Sequence, residues 1–143
     1  MDKTFDWLRA AVYGGGSAAL TGLAWLLGGW DEMLQILIIL ILSDYLVALL
    51  EAWNCHNLSS TVGWHGIAKK AGYLLVVLVA HFVDRLTGSG VPFVRTVVIG
   101  ILAVNECLSV VEHAGALGVP VPKALIERIE KLRAAAGGDG EST

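Results

Sequence analysis

Hydrophobic residues are concentrated along the chain in four long segments, and polar residues are largely confined to the stretches between them. The segments cover residues 10–30, 33–53, 71–86 and 91–111. No Asp, Glu, Lys or Arg occurs in residues 10–30 or 71–80, whereas a helix of a soluble protein needs a polar face. Because about 20 predominantly apolar residues span the hydrocarbon core of a bilayer, the pattern predicts an all-α integral membrane protein with about four transmembrane helices.

The linkers indicate how these helices are arranged. Residues 28–32 and 87–90 are short connections, and short connections join antiparallel neighbours. We therefore expect antiparallel helical hairpins. The third segment is the shortest and ends at Asp84 and Arg85, which leaves three full spans as the alternative to four.

A different pattern follows the fourth segment. Pro120 and Pro122 interrupt the chain, and Leu125, Ile129 and Leu132 then recur on one face at helical spacing. This spacing predicts an amphipathic helix outside the membrane. The expected organisation is a transmembrane domain over residues 1–119, a cytoplasmic amphipathic helix within 120–136 and a disordered tail over 137–143.

Composition supports the membrane assignment and excludes several classes of function. Hydrophobic residues make up 55% of the 143 residues and charged residues 16%, and the mean hydropathy is +0.66. The net charge of −3 comes without a basic stripe, so nucleic acid is not an expected partner. Cys55 and Cys107 lack the spacing of a metal or redox site, and no phosphate loop or nucleophile–base pattern occurs. We expect no metal, no cofactor and no enzymatic activity.

The basic residues indicate the orientation of the spans. Eight of the ten Lys and Arg residues precede the first segment, end the second linker or follow the fourth segment. These three regions lie on one side of the membrane if four spans alternate. Because Lys and Arg are enriched in cytoplasmic loops, we expect both termini and the linker of residues 54–70 to be cytoplasmic.

Asp44 is an ionisable residue in the middle of the apolar segment of residues 33–53. It opposes insertion by roughly 2.5–3.5 kcal/mol, whereas each surrounding Leu, Ile or Val favours insertion by about 0.3–0.6 kcal/mol. The apolar residues outweigh the aspartate, so the segment inserts. An intramembrane charge usually faces a bundle interior, a partner or a water-filled cavity.

Other polar residues fall at similar depths. At about 1.5 Å per residue, Asp44 and His81 lie near the midplane, and Asn105 and Glu106 lie slightly to the cytoplasmic side. Further polar residues share faces with this predicted polar belt or lie near the outer interface: Asp84, Arg85, Arg95, Ser109 and Glu112. Tyr45, which follows Asp44 directly, is a further candidate. Three interpretations stay open. The belt is static hydrogen-bonded glue between helices, the lining of a lumen formed on oligomerisation, or an ion or proton relay through Asp44, His81 and Glu106.

Two other regions carry a specific pattern. Small residues in the first segment recur every four positions at Gly14, Ala18 and Gly22, a spacing that permits close packing of helices within one subunit or between subunits. The second linker predicts a short interfacial segment on the cytoplasmic surface, in which Lys69 and Lys70 meet anionic headgroups. The other linker residues that we single out as caps or turns are Ser59, Ser60, Gly63 and Gly66.

The order of several motifs resembles a known family. They are Asp44-Tyr45, Leu58-Ser59-Ser60, Gly63, Gly66-Ile67-Ala68-Lys69-Lys70, Asp84-Arg85, Arg95, Asn105-Glu106, Ser109, Glu112 and Gly118-Val119-Pro120-Val121-Pro122. Over roughly residues 20–135 the chain resembles the toxin secretion/phage lysis holin family, which includes holin-like toxin-secretion proteins of clostridia. It departs from the family pattern at Ala48, where the family often has Gly, and at His113, where it often has Asn.

The resemblance implies a function without covalent catalysis. It implies a small protein of the bacterial cytoplasmic membrane that oligomerises and opens a pore or lesion at a set time. A muralytic endolysin, or a large toxin, then crosses the membrane. The implied partners are membrane lipids, further copies of the chain and, functionally, the endolysin or toxin. The alternatives are a selective ion or proton channel that uses Asp44, His81 and Glu106, and a non-conducting membrane scaffold.

Overall fold

The computed structural model describes residues 3–54, 60–88 and 90–136, and within these ranges it describes the side chains of residues 15–54, 64–88 and 90–136. These residues form helices and connecting turns, and no strand occurs among them. The helices are α1 (Lys3–Leu26), α2 (Glu32–Asn54), α3 (Ser60–Thr87), α4 (Phe93–Ala116) and α5 (Lys123–Ala136). The prediction of an all-α protein is confirmed. The predicted tail of residues 137–143 lies outside the described residues.

Helix α1 belongs to a compact unit of its own, Met1–Trp30. It ends in a Schellman motif, in which Gly28 N–H donates to the Trp25 carbonyl and Gly29 N–H to the Ala24 carbonyl. Gly28 takes a φ of 94° there, a conformation that glycine adopts without steric cost. Of the predicted small-residue stripe, Ala18 and Gly22 are exposed. Gly14, the third residue of the stripe, lies within α1.

The second unit, Asp31–Thr143, is organised around α4. Helix α4 packs against α2, α3 and α5. At the start of the two helices, Asp31 pairs with Arg95. Near their ends, Glu51 of α2 pairs with His113 of α4. The two helices therefore run parallel, and α3 runs antiparallel to both. The main packing partner of α2 is α4 rather than α3, and the predicted arrangement of about four spans in antiparallel hairpins is not confirmed.

Three helices are long and apolar enough to cross a membrane, judged over the described residues. They are Glu32–Asn54, Trp64–Thr87 and Phe93–Ala116. Their large apolar side chains face outward: Leu42, Leu75 and Val79 are each about 60% exposed, which in water would form an extended apolar surface. The spans thus use the bilayer as their solvent. A fourth span in α1 is not among the three and stays a prediction.

The third helix differs from the sequence-based expectation. Residues 60–70 were expected to form a separate interfacial segment, but they are the first turns of one continuous helix, Ser60–Thr87. Lys69 is exposed, whereas Lys70 turns inward to acidic side chains. Lys70 therefore does not need anionic headgroups to balance its charge, and the helix extends past it without a break. Ser59 and the side chain of Ser60 lie outside the described part of the chain, and Gly63 lies within α3.

The end of α4 and the start of α5 follow from glycine and proline. Gly118, with a φ of 83°, occupies the C′ position of a second Schellman motif, in which Val119 N–H donates to the Ala114 carbonyl. The Pro122 carbonyl accepts a hydrogen bond from Leu125 N–H in the first turn of α5. The predicted helix over residues 123–136 is confirmed, and Ile129 on its apolar face is buried.

Candidate functional site

Three charged side chains from three helices meet inside the bundle. The Lys70 ammonium on α3 lies 2.9 Å from Asp44 Oδ2 on α2 and forms a second ion pair with Glu106 Oε2 on α4. Asp44 is 6% exposed and Glu106 1% exposed. One lysine therefore joins all three spans, through charge-assisted hydrogen bonds that are stronger than neutral ones.

The helix register explains why these residues meet. Asp44 follows the first residue of α2 by about 18 Å of helix, and Glu106 follows the first residue of α4 by about 20 Å. Because α2 and α4 run parallel, the two carboxylates lie at the same level. Lys70 reaches that level from α3, which runs the other way. Moving an ion out of water costs several kcal/mol of free energy. The ion pairs with Lys70 offset this cost for the Asp44 and Glu106 carboxylates.

Two further residues extend the group toward the ends of α2 and α4. His113 Nδ1 lies 2.5 Å from Glu51 Oε2, and His113 Nε2 lies 3.8 Å from Asp44 Oδ1. The Ser109 hydroxyl is another polar neighbour of the Asp44 carboxylate, but Oδ1 itself is buried and accepts no hydrogen bond of normal geometry. We call Asp44, Glu51, Lys70, Glu106 and His113 the ionic cluster.

A second polar group lies where α2 and α4 begin. The Arg95 guanidinium is 1% exposed and pairs with Asp31, with Nη2 at 3.2 Å from Oδ1. Asp31 also accepts a hydrogen bond from Leu34 N–H, 3.0 Å away, and so caps α2. Burial by itself raises the pKa of the Asp31 carboxyl, but the hydrogen bonds from Arg95 and Leu34 outweigh it, so the pKa lies below its ordinary value.

The first turn of α4 is capped by a different helix. Its own N-cap residue, Pro92, makes no side-chain cap. Instead, Asp84 near the end of α3 accepts hydrogen bonds from Val94 N–H and Arg95 N–H, both 2.8 Å long. These amides have no partner within their own helix. Asp84 therefore both closes the α3–α4 turn and stabilises the start of α4.

The structure separates His81 from the other members of the predicted polar belt. His81, Asp84 and Arg85 line an open cleft of about 370 Å³ beside the turn of Gly88 and Gly90. Asp44 and Glu106 lie instead in the ionic cluster. The expectation that His81 joins them is therefore not met, because α3 brings Lys70 rather than His81 to their level.

The remaining predicted residues are distributed over the bundle surface and interior. Tyr45 is 40% exposed and lines an apolar groove of about 430 Å³ between α2 and α3. Asn105, Ser109 and Gly66 are half-buried, and Glu112 and Lys69 are exposed.

The sequence patterns did not identify Asp31, Glu51 and His113 as members of a site. They also predicted that Lys70 contacts anionic headgroups, whereas it pairs with Asp44 and Glu106. A sequence signal for Glu51 and His113 was present. Glu51 follows Asp44 by seven residues, and His113 follows Glu106 by seven residues, and residues at that spacing share a helix face. Among the described residues, no group of His, Cys, Asp and Glu is suited to hold a metal ion.

Apolar outward faces around a buried ionic interior define a class of molecule, the multi-helix integral membrane protein. The sequence profile of the bacteriophage holin family matches residues 21–134. The chain therefore belongs to the bacteriophage holin family.

Relatives occur in clostridia, other bacteria and a phage. An uncharacterised 14.9 kDa protein from the nagH 3′ region of Clostridium perfringens is 37% identical over 108 residues, 76% of this chain and 82% of the relative. An uncharacterised protein of Halalkalibacterium halodurans is 33% identical over 93% of this chain and 96% of the relative. A protein of Bacillus phage phi105 named "Probable holin" is 30% identical over 73% of this chain and 76% of the relative. No solved structure matches the chain.

Proposed function

We propose that this protein is a holin that oligomerises in the bacterial cytoplasmic membrane and forms a pore or lesion, through which an endolysin or a large toxin passes. Membership of the bacteriophage holin family is the observation that carries the proposal. The phage relative named "Probable holin" supports the assignment as a holin, and the resemblance to holin-like toxin-secretion proteins leaves a large toxin as the alternative cargo to an endolysin.

The distribution of charge in the spans supports such a function physically. Charged side chains buried against one another are paired within a single copy of the chain. A polar interior of this kind provides groups that can face water if subunits assemble around a lumen, whereas an entirely apolar bundle provides none. The proposed assembly has four spans with both termini in the cytoplasm, and the stripe of Gly14, Ala18 and Gly22 on α1 contributes a helix contact.

Expression of the protein in a bacterium tests the proposal. We expect induction to collapse the membrane potential, measured with a potential-sensitive dye, and to cause lysis only when an endolysin is co-expressed. A membrane-inserted protein that leaves the potential unchanged at high expression contradicts the proposal. Replacing the endolysin by a large clostridial-type toxin, and measuring its release, separates the two cargoes.

A selective ion or proton channel is the second candidate, because the ionic cluster forms a chain of polar contacts from Glu51 to Glu106 within the bundle. Recordings from planar bilayers separate the two functions. Large, non-selective conductance supports the holin, and discrete, ion-selective conductance supports the channel. Cross-linked oligomers without any conductance support a membrane scaffold instead.

A further inference from the structure

Helix α5 carries apolar side chains in two directions, and the described part of the chain covers only one of them. Ile129 is 7% exposed, and α5 packs against α4, so the Ile129 side faces protein. Leu125 and Leu132 are instead 47% and 57% exposed. They are seven residues apart, about two helical turns. The two leucines therefore form one exposed apolar strip along α5, which we call the leucine line.

The charged residues of α5 are ordered around the leucine line. At about 100° per residue, Arg128 lies about 50°, Arg133 about 90° and Lys131 about 110° from it. Glu127 and Glu130 each lie about 150° from it, on the opposite side of the helix. Cationic side chains thus border the exposed leucines, whereas the anionic side chains lie far from them.

The cations beside the leucine line have no anionic partner within the described part of the chain. Arg128 and Lys131 are both exposed. The ion pairs found among the described residues join positions between 31 and 113, and none of them involves α5. The positive charge of this face is therefore available to an anion outside the protein.

The position of α5 in the chain brings this face to the edge of the bilayer. Helix α4 has 24 residues and is about 36 Å long, whereas the hydrocarbon core is about 30 Å thick. The six residues 117–122 span at most about 20 Å, so α5 starts near the end of α4, at the level of the lipid headgroups. With six charged residues among its 14, α5 cannot cross the membrane itself.

A lipid surface matches both parts of the face, and a second copy of the same face does not. Amphipathic helices with Lys and Arg beside their apolar residues lie in the interface of anionic membranes, with the apolar side chains at the boundary of the acyl chains. Two α5 faces packed on each other would instead bring Arg128 and Lys131 of one copy against the same cations of the other. Like charges in contact oppose such an association.

We propose that the leucine line of α5 binds the surface of an anionic bilayer. Leu125 and Leu132 enter the boundary of the acyl chains, and Arg128 and Lys131 contact the lipid phosphates. The buried Ile129 keeps the helix attached to α4 at the same time. The inference concerns how the C-terminal helix is held, and it does not depend on whether the protein forms a pore.

Hydrogen exchange of the full chain in lipid nanodiscs measures the strength of this attachment. Amides of α5 should exchange about thirtyfold more slowly in nanodiscs of phosphatidylglycerol than in nanodiscs of phosphatidylcholine, because each of the two cations contributes about fivefold at an anionic surface. The difference should disappear in about 1 M salt, where the screening length falls to about 3 Å. Equal exchange in the two lipids at low salt overturns the proposal.

Arg128→Gln tests which side of α5 contacts the lipid. It should reduce the ratio of the exchange rates in the two lipids about fivefold. Lys123→Gln removes the same charge about 170° from the leucine line, so it is the matched control and should leave the ratio unchanged. Because the ratio is taken within each variant, an effect of the substitution on the helix itself cancels. Equal reductions in the two variants contradict the assigned face.

Nitroxide labels report directly which side of α5 enters the lipid. In a chain without its native thiols, made by Cys55→Ser and Cys107→Ala, a label is attached through Leu132→Cys or, as the control on the opposite side, through Glu130→Cys. The label at 132 should collide more with oxygen, which concentrates among acyl chains, and the label at 130 more with a water-soluble nickel chelate.

Equal access of the nickel chelate to both labels overturns the proposal. A label at 132 that is shielded from both reagents lies against protein, which assigns the face to a second copy and overturns the proposal as well. If the chain without thiols does not fold, the exchange measurements on the chain with its native cysteines decide the outcome.

Discussion

Lys70 on α3 lies 2.9 Å from Asp44 on α2, measured from Nζ to Oδ2. The contact joins two helices whose main packing partner is α4 rather than each other. Lys70 therefore acts as a polar link that attaches α3 to both α2 and α4, at a different level from the Asp84 cap at the start of α4. Its position also explains why an aspartate is tolerated in the most hydrophobic helix of the chain.

Lys70→Met tests this link. The variant keeps the length of the side chain but leaves two buried carboxylates without their cation, and such a loss costs about 3–5 kcal/mol. We expect the free energy of unfolding, measured by SDS titration in mixed micelles, to fall by about that amount. The neighbouring Lys69→Met, at an exposed position, is the matched control and should change it by less than about 0.5 kcal/mol. Equal effects of the two variants contradict the assigned role.

Asp44→Asn tests whether the ionic cluster controls the activity. The amide keeps the shape of the carboxylate but removes its charge, so the ion pair with Lys70 is lost while insertion becomes easier. We expect an altered onset or extent of membrane permeabilisation at unchanged membrane levels, measured by dye uptake and immunoblotting. Glu112→Gln makes the same chemical change at an exposed position and should behave as the native protein does. Native kinetics in Asp44→Asn would reduce Asp44 to a packing residue.

Asp84→Ala tests the cap that α3 provides for α4. The variant removes the acceptor for two amides at the start of α4, and loss of an N-cap costs about 0.5–2 kcal/mol. We expect a decrease of this size in the free energy of unfolding and faster hydrogen exchange at Val94 and Arg95. Arg85→Ala, at the next position, should leave that exchange unchanged. Unaltered exchange in Asp84→Ala is the outcome that excludes the cap.

The Asp31 carboxyl should make the stability of the protein depend on pH in the acid range. Its carboxyl has a pKa below the ordinary 3.8, so the ionised form is favoured by folding. The associated stability is present above pH 3.8 and is lost as the pH falls through the lower value of the folded state. Asp31→Asn keeps a side chain that can cap α2 but does not titrate. Thermal unfolding between pH 2 and 5, a range set by ordinary carboxyl titration, should therefore be less dependent on pH in the variant, and identical profiles contradict the prediction.

Much of the fold follows from local patterns in the sequence. The apolar segment of residues 33–53 corresponds closely to α2, Glu32–Asn54, and the spacing of Leu125, Ile129 and Leu132 predicts α5 correctly. The membrane assignment also follows from composition. These features are predictable because helix formation and transfer into lipid depend on neighbouring residues and on the solvent, which are both contained in a short window of sequence.

The ionic cluster could be predicted only in part. Asp44 and Glu106 were identified as intramembrane charges, and their common level follows from counting residues. The choice of Lys70 over His81 as their partner depends on how far α3 extends and on its rotation against α4. Glu51 follows Asp44 by seven residues and His113 follows Glu106 by seven residues, but a shared face on each helix does not show that the two faces meet.

The sequence by itself therefore determined the apolar segments, the C-terminal amphipathic helix and the presence of charges within the apolar segments. The tertiary structure decided which charges pair, because the ion pairs join residues 26 to 69 positions apart. Pairing over such distances depends on the parallel register of α2 and α4 and on the depth at which α3 crosses them. Each of those quantities is set by side-chain packing of the whole bundle, in which leaving a buried ion without its partner costs about 3–5 kcal/mol.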